Sequence, residues 1–184
     1  NRKCPRCGHE YQNGKKDCEL IDRVGNKYKH ASTLEHLYYN FYIKGISRAL
    51  LQELARHRIA SLSVKSTRYT LKELKESGKI DYERYLVMTG NDAVDNAGKA
   101  ALENLQKLLQ QGISNDVAKY ALPESYKTEL TWSINARSLQ NLLALRSNKA
   151  ALWEIRSLAA AVFDALPSDH KYLFEHNMQK DKQC

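Results

Sequence analysis

Leu37-Tyr38-Tyr39-Asn40-Phe41-Tyr42-Ile43-Lys44 alternates without a slip. Leu37, Tyr39, Phe41 and Ile43 fall on one face, and Tyr38, Asn40, Tyr42 and Lys44 on the other. A period of two with this aromatic content predicts a half-buried strand, with the tyrosines serving strand packing. Gly45 is expected to break it. A second such run lies far downstream, where Tyr126, Thr128, Leu130, Trp132 and Ile134 alternate with Lys127, Glu129, Thr131 and Ser133. No βαβ rhythm repeats between the two. The sequence therefore predicts an α+β fold, an antiparallel sheet packed with several long helices.

The helical signals fill the rest. Ser47 is placed to cap a helix that turns Leu50, Leu51 and Leu54 inward and runs to about Arg58. Ala93 to Gln111 is amphipathic, with Val94, Ala97, Ala101, Leu105 and Leu108 on one stripe and Gly112 as its stop. Ser114 is expected to cap a short helix that ends before Pro123. Leu139, Leu142 and Leu143, then Leu152, Ile155, Leu158, Ala159, Val162 and Phe163, mark two more helices, the second closed by Pro167. Near the start, Leu20, Ile21, Val24 and Tyr28 have helical spacing, and Ser32-Thr33-Leu34-Glu35 matches a capping box. Ile59 to Tyr69 keeps no period and reads as a structured loop.

At 184 residues, with 42% hydrophobic and 27% charged side chains, the chain has the balance of a folded protein. The expected organisation is a short Cys-containing segment over 1–18 and a single domain over 19–184. Lys and Arg number 29 against 21 Asp and Glu, a net charge of +8 that points to anionic partners such as nucleotides, phosphorylated cofactors, nucleic acid or an acidic membrane. No apolar run approaches the ~20 residues of a membrane span. Asn1-Arg2-Lys3-Cys4 lacks the apolar stretch of a secretory signal, so a cytoplasmic location with no membrane partner is expected. Cys4-Pro5-Arg6-Cys7-Gly8 resembles a zinc knuckle that His9 and Cys18 would complete. One CxxC without a second pair is a weak signal, and the alternative is a reduced leader without metal.

The segment richest in chemistry is Arg56-His57-Arg58-Ile59-Ala60-Ser61-Leu62-Ser63-Val64-Lys65-Ser66-Thr67-Arg68-Tyr69. Cations at the end of a helix are locally stabilising, which accounts for Arg56 and Arg58 and for nothing after them. Planar guanidinium forks beside Lys65 and several hydroxyls can surround phosphates. The residues alone leave a phosphate site and a basic surface loop equally open.

This segment resembles the signature of flavin-dependent thymidylate synthases, Arg-His-Arg-x-x-Ser-x-Asn-x-x-Ser-x-Arg. Arg56, His57, Arg58, Ser61, Ser66 and Arg68 match, and Ser63 replaces the usual Asn. His30-Ala31-Ser32-Thr33-Leu34-Glu35-His36 resembles the family's His-x-Ser/Thr-x-x-Glu-His. Asn135-Ala136-Arg137-Ser138-Leu139-Gln140-Asn141, with Leu145-Arg146, resembles its C-terminal nucleotide-binding helix. The likeness runs from about Glu19 to about Glu175 and is greatest to Helicobacter-like and Campylobacter-like members. Family members usually begin with a strand leading into an Arg-Thr-Cys-Trp-like segment, where this chain reads Arg2-Lys3-Cys4-Pro5.

The resemblance implies reductive methylation of dUMP to dTMP, with methylenetetrahydrofolate as carbon donor and NADPH-reduced FAD as hydride donor. It implies flavin contacts at Ser32, Arg56, His57, Arg58, Asn135, Arg137 and Asn141. For dUMP it implies Glu53, Arg56, Ser66, Arg68, Lys119 and Arg146. Arg146 is the residue matched to pyrimidine activation, and Lys119 stands where many members have Arg. Ser66 is implied as a hydrogen-bond partner of dUMP and not as a nucleophile. A homotetramer with sites shared between subunits is also implied. His30 and His36 read as structural. Independently of the family, Glu53, Arg56 and His57 stand at i, i+3 and i+4, on one helical face. A basic zinc-knuckle nucleic-acid-binding protein would explain the charge and Cys4/Cys7 but not the ordered matches, so no nucleic-acid partner is expected. A homologue that binds nucleotide without turnover is the remaining alternative.

Overall fold

The computed structural model describes residues 2–3, 10–11 and 15–178, and opens with Arg2–Lys3 (β1) paired antiparallel with Glu10–Tyr11 (β2). The helix α1, Lys15–Asp22, continues into a π-helical turn, Arg23–Lys27. A 3-10 turn, Ala31–His36, follows. The expected capping box does not form. His30 holds the cap position, and the Thr33 hydroxyl donates back to the His30 carbonyl. The strand β3, Tyr38–Ser47, comes next, then α2, Arg48–Ala55, and β4, Ala60–Val64. The helices α3 (Thr67–Glu76), α4 (Tyr82–Tyr85), α5 (Asp92–Gln110) and α6 (Asn115–Ala118) lead to β5, Lys127–Asn135. The chain finishes with α7, Ala136–Arg146, and α8, Trp153–Ala165. A three-stranded sheet has the order β3-β5-β4, with β4 antiparallel to β5. The α+β expectation holds.

Gly45 does not end its strand. It carries φ +72°, and the buried face, at Ile43 before it, resumes at Ile46. One residue has been inserted into the pleat, which is what a bulge with a left-handed glycine does. Ser47 then caps α2, its Oγ accepting from the Leu50 N–H at 2.9 Å and donating to the Glu154 carboxylate. The helix stops at Ala55, short of the expected Arg58.

The expected loop at Ile59 to Tyr69 is instead a strand and a helix start. Ser61 pairs with Ser133, Leu62 with Trp132 and Ser63 with Thr131. β4 is an edge strand with Ser61, Ser63 and Val64 exposed, so its burial gives no clean period. The stripe of α5 is rotated by about one position from the expected one. Leu102, Leu105 and Leu109 are buried, whereas Val94 is 54% exposed. Gly112 does close α5, its N–H bonded to Leu109 O and that of Ile113 to Leu108 O, a Schellman arrangement.

The described residues gather into two compact units. One comprises residues 40–134 and 152–155. Its core is Leu71, Leu74, Ile80, Tyr85, Leu86, Leu102, Leu105, Leu109, Ala118 and Tyr126, with α3, α5 and α6 packed on one another. The other comprises 1–39, 135–151 and 156–184. In it α7 buries Ala136, Leu139, Leu142 and Leu143 and packs against the 31–36 turn. That turn buries Leu34, and Gly25 lies so close that a Cβ there would stand 2.9 Å from Leu34 Cδ2. Among the described residues no helix is long and apolar enough to cross a membrane.

Candidate functional site

In the sheet-bearing unit the signature spans the end of α2, the edge strand β4 and the start of α3. Arg56 is the C-cap of α2, and its Nη1 lies 3.4 Å from both carboxylate oxygens of Glu53, so the helical spacing read from sequence does bring them together. The Arg56 side chain is 71% exposed, which leaves its fork open to a ligand. Arg58 is also exposed and His57 half-buried, its N–H bonded to Leu54 O at 3.1 Å. Ser66 caps α3, its Oγ accepting from the Arg68 N–H at 3.4 Å. Arg68 Nε stands 3.3 Å from Asp116 Oδ1, and Asn115 donates to the Arg68 carbonyl. The α6 turn therefore meets the start of α3. Lys119, the residue after α6, is exposed, its ammonium 5.8 Å from the centre of the Tyr120 ring.

Lys65 supplies a further link. Its ammonium is 2.8 Å from the Glu129 carboxylate on β5. The hydrogen bond to that carboxylate raises the Lys65 pKa, and the same bond is the leading cause that lowers that of Glu129. The sequence reading counted Lys65 among the groups that can surround phosphates and gave Glu129 no role. The only signal for Glu129 was its place on the polar face of the second alternating run.

The other unit carries the remaining candidates. Asn135 is buried at the junction of β5 and α7 and caps α7, its Oδ1 accepting from the Ser138 N–H at 2.8 Å. One of its acceptor positions is thus spent on the fold. Arg137 pairs with Glu35 of the 31–36 turn and remains 55% exposed. Ser32 on the same turn is exposed, as is Asn141 on α7. Arg146, the last residue of α7, is half-buried. Tyr39 packs edge-on against Phe174, as expected of strand packing, and its hydroxyl meets His170 Nδ1 at 3.0 Å. Tyr38 and Tyr42 instead face solvent, at 65% and 60% exposure. His36 is exposed; His30 caps the turn.

Cys4, Cys7 and His9 lie outside the described residues. Cys18 lies on α1, half-buried, against Tyr172, whose pKa desolvation and then Cys18 push up to about 12. Among the described residues no group of His, Cys, Asp and Glu is placed to hold a metal.

The described chain is an α+β protein with exposed guanidinium forks, hydroxyls and amides at its helix ends, groups of the kind that can pair with phosphates. The chain belongs to the flavin-dependent thymidylate synthases, a family of enzymes. The family model described as thymidylate synthase complementing protein matches residues 2–168. The flavin-dependent thymidylate synthase of Campylobacter jejuni strain RM1221 is 67% identical over 174 residues, which are 91% of this chain and 84% of that protein. The one from Wolinella succinogenes is 68% identical over 172 residues, 90% of this chain and 84% of its own length. The crystal structure of thymidylate synthase X from Helicobacter pylori with FAD and dUMP superposes with a TM-score of 0.87 at 58% identity. That match covers 92% of this chain and 86% of the crystallised one.

Proposed function

We propose that this chain binds FAD and dUMP and converts dUMP to dTMP, with methylenetetrahydrofolate giving the carbon and NADPH the reducing equivalents. The observation that carries the reading is the signature itself, with Arg56 exposed at the end of α2 and Ser66 and Arg68 exposed at the start of α3. The chemistry of the individual donors suits the cofactor. Arg56 and Arg58 offer forks to a diphosphate, and Ser32, Arg137 and Asn141 offer exposed polar groups. His57 and Asn135 complete the proposed flavin contacts. Flavin, when bound and reduced, supplies the hydride; the protein supplies position and electrostatics.

The chain's own tasks follow from charge and geometry. Glu53, Arg56, Ser66, Arg68, Lys119 and Arg146 are the proposed dUMP residues. Arg68 and Lys119 give cations for the phosphate, Lys119 as a point charge and Arg68 as a fork. Arg146 is the proposed catalytic residue: a fixed cation beside the pyrimidine stabilises its N3-deprotonated form. Glu53 faces the Arg56 fork, with both carboxylate oxygens 3.4 Å from Nη1. The proposed enzyme is a cytoplasmic homotetramer with sites shared between subunits.

Absorbance of the purified protein tests the reading. A flavin spectrum that shifts when dUMP is added, with dTMP formed in the complete assay, is the expected outcome. A colourless protein that cannot be reconstituted with FAD would overturn it. A flavoprotein that binds dUMP but forms no dTMP would instead mark a homologue without turnover.

A further inference from the structure

Glu129 ties together three parts of the sheet. Its carbonyl accepts the Lys65 N–H at 2.9 Å, which carries the β4–β5 ladder one residue past Val64. Its carboxylate takes the Lys65 ammonium at 2.8 Å and the hydroxyl of Tyr42 from β3. Lys44, also on β3, adds its positive field, with its ammonium 4.8 Å above the Tyr42 ring. From α3, Glu73 acts on Lys65 in the same sense as Glu129. Lys65 is therefore held at both main chain and side chain, and its charge is committed to a carboxylate.

The residue so anchored immediately precedes Ser66. The turn that follows is held from its far side by Asn115, which donates to the Arg68 carbonyl at 3.3 Å, and by the buried Leu71 of α3, while its own cap bonds are long. The Ser66 Oγ accepts from Arg68 N–H at 3.4 Å, and Ser66 O accepts from Tyr69 N–H at 3.4 Å. Both lie at the long edge of hydrogen bonding. Arg68 adds one exposed ion pair to Asp116, at 3.3 Å, which in water contributes little. On the side of the chain that precedes Ser66, the anchor is Lys65.

We propose that Glu129 is a positioning residue for the substrate turn: by clamping Lys65 it aims Ser66 and Arg68 at dUMP. This rests on the assignment of Ser66 and Arg68 to dUMP. Loss of a contact made equally in the ground and transition states raises KM and leaves kcat unchanged. Glu129 stays ionised and Lys65 protonated throughout the neutral range, because each partner shifts the other's titration outward.

The test is steady-state kinetics on the FAD-loaded full chain. Glu129→Gln and Lys65→Met are each expected to raise KM for dUMP about two- to fivefold, the range set by a partly exposed pair, while kcat and FAD content stay unchanged. The double variant should match either single one, since one clamp is removed in all three. Lys65→Arg, which keeps the charge, should recover most of the loss. The ratio of variant to wild-type KM should be flat between about pH 6 and pH 9. A lowered melting temperature with KM for dUMP unchanged in both single variants would mean the clamp is structural only, and the proposal falls. Ser66→Ala is the companion measurement. If Ser66→Ala leaves dUMP affinity intact, the substrate assignment has failed. If Ser66→Ala weakens dUMP and neither Glu129→Gln nor Lys65→Met does, the positioning role has failed and the assignment stands.

Discussion

Arg56 stands one residue past the last turn of α2, where the helix dipole favours a cation and where Glu53 already faces it. The bland reading of this arginine is a capped helix end. At 71% exposure, with a surface ion pair as its partner, that role contributes at most about 1 kcal/mol of stability. If the residue binds both flavin and dUMP, its loss is far costlier to activity than to folding. Arg56→Ala is therefore expected to cut turnover by about a hundredfold or more while the melting temperature moves by a few degrees at most. Lys119→Ala should behave differently. A single charge-assisted contact to phosphate is lost, so KM for dUMP rises about tenfold and kcat is kept. Steady-state kinetics on the two variants, with thermal melts alongside, separates them. An Arg56→Ala enzyme of normal activity would remove that residue from the site.

At the scale of elements, the sequence was most legible where burial is one-sided. β5 alternates as read, with Leu130, Trp132 and Ile134 buried, because its apolar face meets the core. β3 was legible only as far as Gly45, since a period-two reading cannot foresee an inserted residue. β4 was invisible. An edge strand whose Ser61, Ser63 and Val64 are exposed has no burial pattern to betray it, and its strand character comes from pairing with β5. Helix α3 was missed, although Ser66 caps it, because the hydroxyls of that stretch were read as ligand chemistry alone. The proposed site residues were picked out by order and type, and the ion-pair partners of Lys65 and Arg137, Glu129 and Glu35, were not, since each pairs across a distance that sequence spacing does not encode. Gly25 is a further case. It reads as an ordinary glycine, yet the Leu34 side chain fills the space its Cβ would need, with Cδ2 at 2.9 Å and Cγ at 3.1 Å. Leu34 is fully buried in the turn that carries Ser32 and Glu35, so it has little room to yield. Gly25→Ala is expected to destabilise by about 1–2 kcal/mol, overpacking being partly offset by the better helix former. It should also weaken FAD retention. A melt of the FAD-loaded protein reads the first effect and flavin release on dilution the second. A stabilised variant would show that Leu34 repacks freely.

For the whole molecule, two consequences follow from which side chains are hidden. Burial pushes Tyr39 and Tyr126 up to about 12, from an ordinary value of 10.0. Each hydroxyl thus keeps its proton in the folded chain after the unfolded chain has lost it. That contribution is complete below about pH 10 and drains away as pH rises toward 12. Tyr126 gives the cleaner test. Its hydroxyl is buried without a hydrogen-bond partner among the described residues, and the neighbouring Thr70 hydroxyl donates to Thr67 O instead. Tyr126→Phe should cost little at pH 7 and should make the loss of stability between pH 10 and pH 12 shallower, read by denaturant melts across that range. The second consequence concerns what is left uncovered. Tyr42, Ile59, Tyr69, Val117 and Tyr120 of the sheet-bearing unit are each at least 60% exposed. Single exposed apolar side chains are ordinary, but four of these cluster in sequence around the proposed flavin and substrate residues, with Ile59 and Tyr69 beside Arg58 and Arg68, and Val117 and Tyr120 flanking Lys119. A ligand as small as dUMP cannot cover them all, whereas neighbouring copies of the chain can, and would close the site against water as they did so. Sedimentation at micromolar concentration is expected to give the mass of four chains. Tyr120→Lys and Ile59→Lys, which set charge on that surface without touching a proposed ligand contact, should shift the mass downward and reduce activity in proportion to the tetramer lost. A monomer with full activity would show that these side chains have no such partner.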